Sequence, residues 1–203
     1  MKITKLEGLH VWHEFQADRG IDFNGYFWKS SAGGVLIDPM PLTKDEIQKI
    51  QDAGGVRWIL VTNAEHLRAA PALKDVFGAS VLAPSQEMGR LGEGAAHIDA
   101  WFEGQSDLPG DLGECLAVYP LRGGKSPVEP ALYLKPLQAL YFADVVRSHV
   151  SGALRLLPDE KLADPKLVAE SLRALADLPL EAVLLGDGDS IYNGAREAFG
   201  TLL

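Results

Sequence analysis

Three apolar segments of the chain each end in side chains that can do acid–base or metal chemistry. The segment "WILVTNAEH" ends in Glu65 and His66, "ALYFADVV" carries Asp144, and "AVLLGDGD" ends in Asp187. Loops that follow buried strands commonly carry the ligand-binding groups of α/β proteins, because the strands hold those groups on a rigid support. The pattern therefore predicts one functional site at these strand ends, unless the residues only form polar turns.

The elements that must position these loops follow from hydrophobic patterning. Short apolar runs alternate with amphipathic helical segments in the first half of the chain, which predicts parallel strands covered by helices. "LTKDEIQKIQDAGG" is predicted to be a helix capped by Thr43 and Glu46, and "DPKLVAESLRALADL" a helix that begins after Asp164. Residues 97–146 are mainly β, and "ALYLKPLQALYF" is predicted to be a hairpin. Together these elements predict a layered α/β sandwich in a single domain, residues 1–203.

Composition narrows the class of partner. The chain has 203 residues, 47% of them hydrophobic, and a formal net charge of −9. The acidic balance argues against binding to nucleic-acid phosphates or to an anionic membrane surface. No apolar run reaches the length of a membrane span, and we expect no signal peptide. With Cys115 as the single cysteine, we expect a cytoplasmic protein that binds a small-molecule substrate or ligand, and a homo-oligomer is compatible with the sequence.

Two other catalytic classes have little support. No Gly-x-Ser-x-Gly segment is present, which argues against a serine hydrolase with a nucleophile elbow. "GDGD" is not followed by Lys-Ser or Lys-Thr and therefore does not match a phosphate-binding loop. The candidate chemistry thus depends on the strand-end residues.

The order of the segments resembles the metallo-β-lactamase fold family of hydrolases, from about residue 24 to the end. "NGYFWKSSAGGVLIDPM" is similar to the opening hairpin of that family with its aspartate, here Asp38, and "ILVTNAEHLRAA" stands where a family strand enters a Thr-His-x-His-x-Asp-His motif. "GGKSPVEPALYL" resembles the Gly-His-x-x-Gly segment, "ALYFADVV" the strand with the bridging aspartate, and "VLLGDGDSIYNGAREAF" the ending that normally reads Gly-His-Gly. The resemblance implies a four-layer αββα fold, with two mixed β-sheets and helices on both outer faces.

The resemblance also implies that half of the usual metal site is absent. The family usually holds two metal ions, one of them on three histidines. Here Asn63 takes the first histidine position, the second has no counterpart, and Lys125 falls at the third, or Gly124 under a one-residue shift. A lysine ammonium group only donates hydrogen bonds, so it does not bind a metal ion at neutral pH but does supply positive charge.

The other half of the site keeps residues that can bind a metal ion. If Glu65 and His66 align with the motif's Asp-His, the resemblance implies one ion bound by Glu65, His66, Asp144 and Asp187. This oxygen-rich set favours a divalent ion such as Zn, Mn or Fe. The implied activity is hydrolysis of a small ester, amide or phosphoester by a metal-activated water, with Asp144 and Lys125 as catalytic residues.

Two further residues are candidate substrate contacts. Asn63 occupies the first of the lost ligand positions, and His149 lies on the segment that overhangs the site in this fold. A metal-free alternative stays open, because Glu65 and His66 also suit the first turn of a helix and Asp187 lies in an Asp-Gly turn. The chain would then be a catalytically degenerate relative that binds a small molecule or a partner through a hydrogen-bonded polar network.

Overall fold

The computed structural model describes all 203 residues, Met1–Leu203. The strands are β1 (Lys2–Ile3), β2 (Leu9–Gln16), β3 (Ile21–Ser30), β4 (Gly33–Ile37), β5 (Trp58–Leu60), β6 (Ser80–Pro84), β7 (Ala100–Phe102), β8 (Leu116–Arg122), β9 (Val128–Leu134), β10 (Ala139–Phe142), β11 (Val146–Val150), β12 (Ala153–Leu156) and β13 (Ala182–Leu185). The α-helices are α1 (Lys44–Asp52), α2 (Ala70–Phe77), α3 (Met88–Leu91), α4 (Gly110–Cys115), α5 (Pro165–Arg173) and α6 (Ala195–Gly200).

The strands form two main sheets and a small ribbon. Strands β1 to β7 make a seven-stranded sheet in chain order, in which β4, β5, β6 and β7 are parallel neighbours. The second sheet has the order β13-β10-β9-β8, with β13 parallel to β10 and the other pairs antiparallel. Strands β11 and β12 form a separate antiparallel ribbon. The predicted parallel neighbours and the predicted β9–β10 hairpin are confirmed.

Alternating side chains fill three layers of core. Tyr26 and Trp28 of β3 lie in the cluster between the two sheets, whereas Phe27 packs in the cluster that includes residues of α1 and α2. In β10, Tyr141 faces the other sheet, and Phe142 packs in the cluster that includes residues of α5 and α6. Both faces of each sheet are therefore apolar, as expected for sheets covered on both sides. The layers are helix, sheet, sheet and helix, and the αββα prediction is confirmed.

Local capping explains where the principal helices begin. The Thr43 hydroxyl accepts a hydrogen bond from the Glu46 N–H, and the Glu46 carboxylate accepts one from the Thr43 N–H, so α1 begins with the predicted capping box. The Asp164 carboxylate accepts hydrogen bonds from the N–H groups of Lys166 and Leu167 at the start of α5. None of the helices is long and apolar enough to cross a membrane.

Close packing at Gly34 fixes the register between β4 and the turn before β5. A Cβ atom added to Gly34 would lie 2.0 Å from the Gly55 carbonyl oxygen. This is a backbone atom, which cannot move away by a change of side-chain rotamer. We predict that Gly34→Ala lowers the free energy of unfolding by roughly 2 kcal/mol or more, because overpacking forces backbone shifts. Urea unfolding of the variant and the wild-type protein measures this difference.

The matched control is Gly89→Ala in α3. Gly89 is exposed and has no other atom within 4 Å of an added Cβ, so the same change should leave stability unchanged or raise it slightly. Equal stabilities for the Gly34 and Gly89 variants would contradict the close approach.

Candidate functional site

The loops that follow β5, β10 and β13 meet at one edge of the sandwich. The loop after β5 forms a 3₁₀ turn, Ala64–His66, and the other two carry Asp144 and Asp187. Backbone hydrogen bonds from Gly186 N–H to the Phe142 carbonyl and from Asn24 N–H to the Gly186 carbonyl, both 2.8 Å, join the ends of β13 and β10 to Asn24 within β3. The polar side chains are therefore supported by strands from both sheets.

Three of the four predicted ligand residues converge. The ligand-type atoms of His66, Asp144 and Asp187 all lie within 4.8 Å of one another. His66 Nε2 and Asp144 Oδ1 are 3.5 Å apart. The three residues are 3%, 7% and 3% exposed, so they form a buried polar group at the bottom of an open cleft rather than a surface cluster. Their binding of an ion stays a prediction.

Glu65, the fourth predicted ligand, lies outside this group. Its side chain is 45% exposed, accepts a hydrogen bond from the Lys125 ammonium group and lies 3.6 Å from Arg90. Successive side chains of a 3₁₀ turn point about 120° apart, so a turn that buries His66 directs Glu65 elsewhere. The structure places Glu65 at the rim as the partner of Lys125, and its predicted role as a ligand gains no support from this geometry.

Asn63 connects the 3₁₀ turn to the loop after β10. Its Oδ1 accepts hydrogen bonds from the N–H groups of Glu65 and His66 at 3.0 and 3.2 Å, and its Nδ2 donates to Asp144 Oδ2 at 3.2 Å. Asn63 is 1% exposed, so these contacts hold His66 and Asp144 in a fixed relation. Its predicted contact with substrate stays a prediction.

Asp38, the residue after β4, anchors the site from below, a role that the sequence analysis did not assign. Its buried carboxylate accepts hydrogen bonds from the N–H of Thr62 (2.8 Å), from Nδ1–H of His66 (2.7 Å), and from the hydroxyls of Thr62 and Tyr141. Burial alone would raise the pKa of Asp38, but the charge and hydrogen bond of His66 and the charge of Arg68 bring it below its ordinary value. Asp38 is therefore an ionised carboxylate that orients His66.

His66 is a buried imidazole whose pKa is raised. Burial alone would lower the pKa, and the charge of Asp38 is the main opposing influence, so the balance raises the pKa of His66 to about 9. Two neighbours compete for Nε2: the Arg68 guanidinium, with Nη2 at 3.1 Å, and the Asp144 carboxylate at 3.5 Å. Arg68 favours a neutral ring whose Nε2 accepts a hydrogen bond, whereas Asp144 favours the protonated ring.

Arg68 is a site residue that the sequence analysis missed. Its Nη1 donates to the carbonyl oxygens of Asn24 (2.9 Å) and Asp38 (3.2 Å), and its Nη2 lies 3.9 Å from Asp187 Oδ1. Arg68 and Asp38 adopt φ values of +37° and +45°, a left-handed conformation that is costly for residues with a side chain. The strained backbone therefore occurs at Arg68 itself and at Asp38, whose carbonyl oxygen accepts a hydrogen bond from this guanidinium group.

The two carboxylates of the group differ in their protonation chemistry. Burial would raise the pKa of Asp144, but the hydrogen bond and charge of His66, followed by the charges of Lys125 and Arg147, hold it well below its ordinary value. The pKa of Asp187 is raised instead, mainly by burial and then by the negative charge of Asp144. Asp144 is therefore the more persistent negative charge of the pair.

Glu129 lies beneath Asp144 and was also missed. Its Oε1 accepts hydrogen bonds from the N–H groups of Asp144 and Val145, both at 3.1 Å, and its Oε2 is buried without a partner. Burial, and then the charge of Asp144, raises the pKa of Glu129 to about 8. The signal in the sequence was a single carboxylate inside the apolar strand "VEPALYL".

An open cleft of about 860 Å³ lies above the group. Asp144 and Asp187 reach it from below, and the predicted residues Lys125 and His149 line it. A smaller cavity of about 510 Å³ shares part of this lining and reaches His66. A cleft of this size suits a small molecule, and the position of His149 is compatible with its predicted contact with substrate.

The chain belongs to the metallo-β-lactamase superfamily. A family model described as the metallo-beta-lactamase superfamily matches residues 1–202, which is almost the entire chain. No curated protein sequence matches the chain. The family predicted from the order of the sequence segments is therefore confirmed.

Solved metallo-β-lactamase structures share the fold at low sequence identity. The enzyme from Pontibacter korlensis is 18% identical with a TM-score of 0.74, covering 100% of this chain and 96% of that chain. DIM-1 is 14% identical with a TM-score of 0.74, covering 99% and 94%. FIM-1 from Pseudomonas aeruginosa, solved in a mono-zinc form, is 15% identical with a TM-score of 0.72, covering 96% and 88%. Likeness at this level establishes the fold, and the chemistry has to be argued from the residues of this chain.

The raised pKa of His66 predicts a specific loss of stability at high pH. His66 has a pKa near 6.5 in the unfolded chain and about 9 in the folded one, so its contribution is complete below pH 6.5 and is lost as the pH rises through 9. We predict that the stability difference between wild type and His66→Asn shrinks by roughly 2–3 kcal/mol between about pH 6 and pH 10.

Urea unfolding of chelator-treated protein across this pH range measures the difference. Glu129 titrates in both proteins, so subtraction removes most of its contribution. A difference that stays constant with pH would contradict the raised pKa of His66.

Proposed function

We propose that this chain is a mononuclear metal-dependent hydrolase of a small substrate. The observation that carries the proposal is the convergence of one ligand-type atom from each of His66, Asp144 and Asp187, all within 4.8 Å of one another, at the bottom of the cleft. A compact group of one imidazole and two carboxylates is an ordinary ligand set for one divalent ion.

The chemistry of the three residues fits one ion. Asp38 binds Nδ1–H of His66 and leaves Nε2 facing the group, the carboxylate–histidine arrangement that supports many metal sites. Asp187 Oδ1 is buried and has no hydrogen-bond partner. The 3.5 Å between His66 Nε2 and Asp144 Oδ1 is close to the ~3.4 Å expected for two ligands of one tetrahedral ion with bonds of ~2.1 Å. Zn, Mn and Fe are the candidate metals.

The replacements inferred at the family's three-histidine positions support one ion rather than two. An asparagine amide and a lysine ammonium group stand there, and in the structure Asn63 donates to Asp144 while Lys125 pairs with Glu65. Neither group offers a metal ligand of ordinary strength in these contacts. FIM-1, which shares the fold, was determined in a mono-zinc form, and this precedent supports a proposal of one ion.

The residues of the site suit hydrolysis of an ester, amide or phosphoester. A divalent ion at this position would supply a nucleophilic water at neutral pH and polarise the scissile bond. Asp144 keeps its negative charge at neutral pH because the pKa of its carboxyl group is strongly lowered. Lys125 lines the cleft, and in this proposal its ammonium group stabilises the negative charge that develops on the substrate oxygen.

One observation favours a second candidate, a metal-free binding protein. Arg68 Nη2 already lies 3.1 Å from His66 Nε2, so a cation of the chain itself occupies one side of the group. Metal binding requires Arg68 to release Nε2 while its Nη1 keeps the carbonyl oxygens of Asn24 and Asp38. In the alternative, Arg68 stays in place and the cleft binds a ligand without hydrolysis.

Metal binding distinguishes the two candidates. We predict that protein purified without chelator holds close to one equivalent of a transition metal, measured by elemental analysis. His66→Gln and Asp187→Asn should lower the affinity for Zn or Mn by at least about tenfold in titration calorimetry, because each removes a ligand.

Glu65→Gln is the matched control, because it changes a carboxylate of the cleft that lies outside the group. It should bind metal like the wild-type protein, and an equal loss in this variant would instead support Glu65 as a fourth ligand. The hydrolase proposal would be wrong if the purified wild-type protein contained negligible metal and its thermal stability did not change on adding Zn or Mn.

Activity should depend on Lys125 separately from metal. On a panel of small esters, amides and phosphoesters, we expect Lys125→Gln to lower kcat about 10- to 100-fold and to keep its metal, because it removes only transition-state charge stabilisation. Asp144→Asn should lose both metal and activity. A Lys125 variant with unchanged kcat on every substrate cleaved by the wild-type protein would contradict this role.

A further inference from the structure

Positive charge collects in the cleft although the chain as a whole is acidic. The protein has 19 basic and 28 acidic side chains, giving a net charge of −9. The cleft is lined by more basic than acidic side chains, the basic ones being Arg19, Lys125, Arg147, Arg155 and Lys161 and the acidic ones Glu65, Asp144 and Asp187. A cleft whose charge opposes that of the surrounding surface attracts anions.

Most of the acidic charge in the cleft is already paired. Glu65 pairs with Lys125, and Asp187 lies 3.7 Å from Arg147. The remaining basic side chains, those of Arg19, Arg155 and Lys161, form no salt bridge with the chain. The mouth of the cleft therefore presents three cations without a counter-charge from the protein.

Two arginines face each other across the β11–β12 ribbon. Arg147 and Arg155 are direct cross-strand partners, an arrangement in which like charges repel. The Nε of Arg147 is buried and has no hydrogen-bond partner, which adds a second unfavourable feature at the same position. An anion held between the two guanidinium groups would relieve the repulsion and supply acceptors for the donors.

We propose that the cleft binds the phosphate group of a small phosphorylated molecule, held by Arg147 and Arg155 with Lys161 and Arg19 at the mouth. Two guanidinium forks suit a tetrahedral dianion with several acceptor oxygens better than a single carboxylate. The cleft volume of about 860 Å³ suits a small ligand. The inference rests on the proposed function in one respect: it names the substrate class of that hydrolase.

The test is phosphate binding by chelator-treated protein, so that it does not depend on metal. Titration calorimetry with inorganic phosphate and pyrophosphate should show saturable binding to the wild-type protein that weakens as salt is added. Arg155→Gln should weaken binding at least about tenfold, since it removes a charged two-pronged donor. Arg155→Lys keeps the positive charge but loses the two-pronged guanidinium group. Its phosphate affinity should therefore lie between those of the wild-type protein and Arg155→Gln.

Arg122→Gln provides the control for overall charge. Arg122 is an exposed residue of β8 whose side chain forms no salt bridge and does not line the cleft, so this variant should bind phosphate like the wild-type protein. No saturable binding to the wild-type protein, equal weakening in both glutamine variants, or equally tight binding of succinate would overturn the proposal.

The outcome is separable from that of the hydrolase proposal. Phosphate binding without any metal affinity would leave this inference standing as a binding function and remove the hydrolase. Metal binding and cleavage of neutral esters without phosphate binding would support the hydrolase proposal and overturn the phosphate-binding inference. If both hold, Arg155→Gln should raise KM for a phosphorylated substrate, whereas the Arg122→Gln control should leave that KM at the wild-type value.

Discussion

The site depends on the buried carboxylate of Asp38. It accepts hydrogen bonds from Thr62 after β5, from Tyr141 of β10 in the other sheet, and from His66. A buried ionised carboxylate without such donors would cost several kcal/mol, so this set of contacts fixes the ends of both sheets relative to one another. It also fixes which nitrogen of His66 faces the cleft.

Several buried carboxylates surround the Asp38 contacts, and their negative charge has to be balanced by nearby positive charge. Asp144 and Asp187 lie close to one side of the buried His66 ring, and Asp38 lies 2.7 Å from Nδ1 on its other side. Arg68, Arg147 and the proton on His66 provide compensating charge when no ion is present. A divalent ion would take over from the proton on Nε2, because His66 binds metal as the neutral ring. Metal binding and proton release are therefore expected to be coupled in this protein.

The sequence predicted the layers and the strand ends better than the directions of individual side chains. Strand termini follow from apolar runs, which is why His66, Asp144 and Asp187 were correctly expected in one region. The orientation of Glu65 depends on a 3₁₀ turn capped by Asn63, and no local pattern separates that turn from the first turn of a helix. Arg68 was not predicted as a site residue because it donates to backbone carbonyl oxygens that are distant in the chain. Such contacts leave no pattern in the neighbouring sequence.

The most direct test of the account is an anomalous-scattering crystal structure of the protein soaked with Zn or Mn. The account predicts a single peak about 2.0–2.3 Å from His66 Nε2 and from carboxylate oxygens of Asp144 and Asp187, with the Arg68 guanidinium withdrawn from Nε2. No anomalous peak at this position in soaked crystals, with Arg68 still hydrogen-bonded to His66, would contradict the central claim that these three side chains bind one ion.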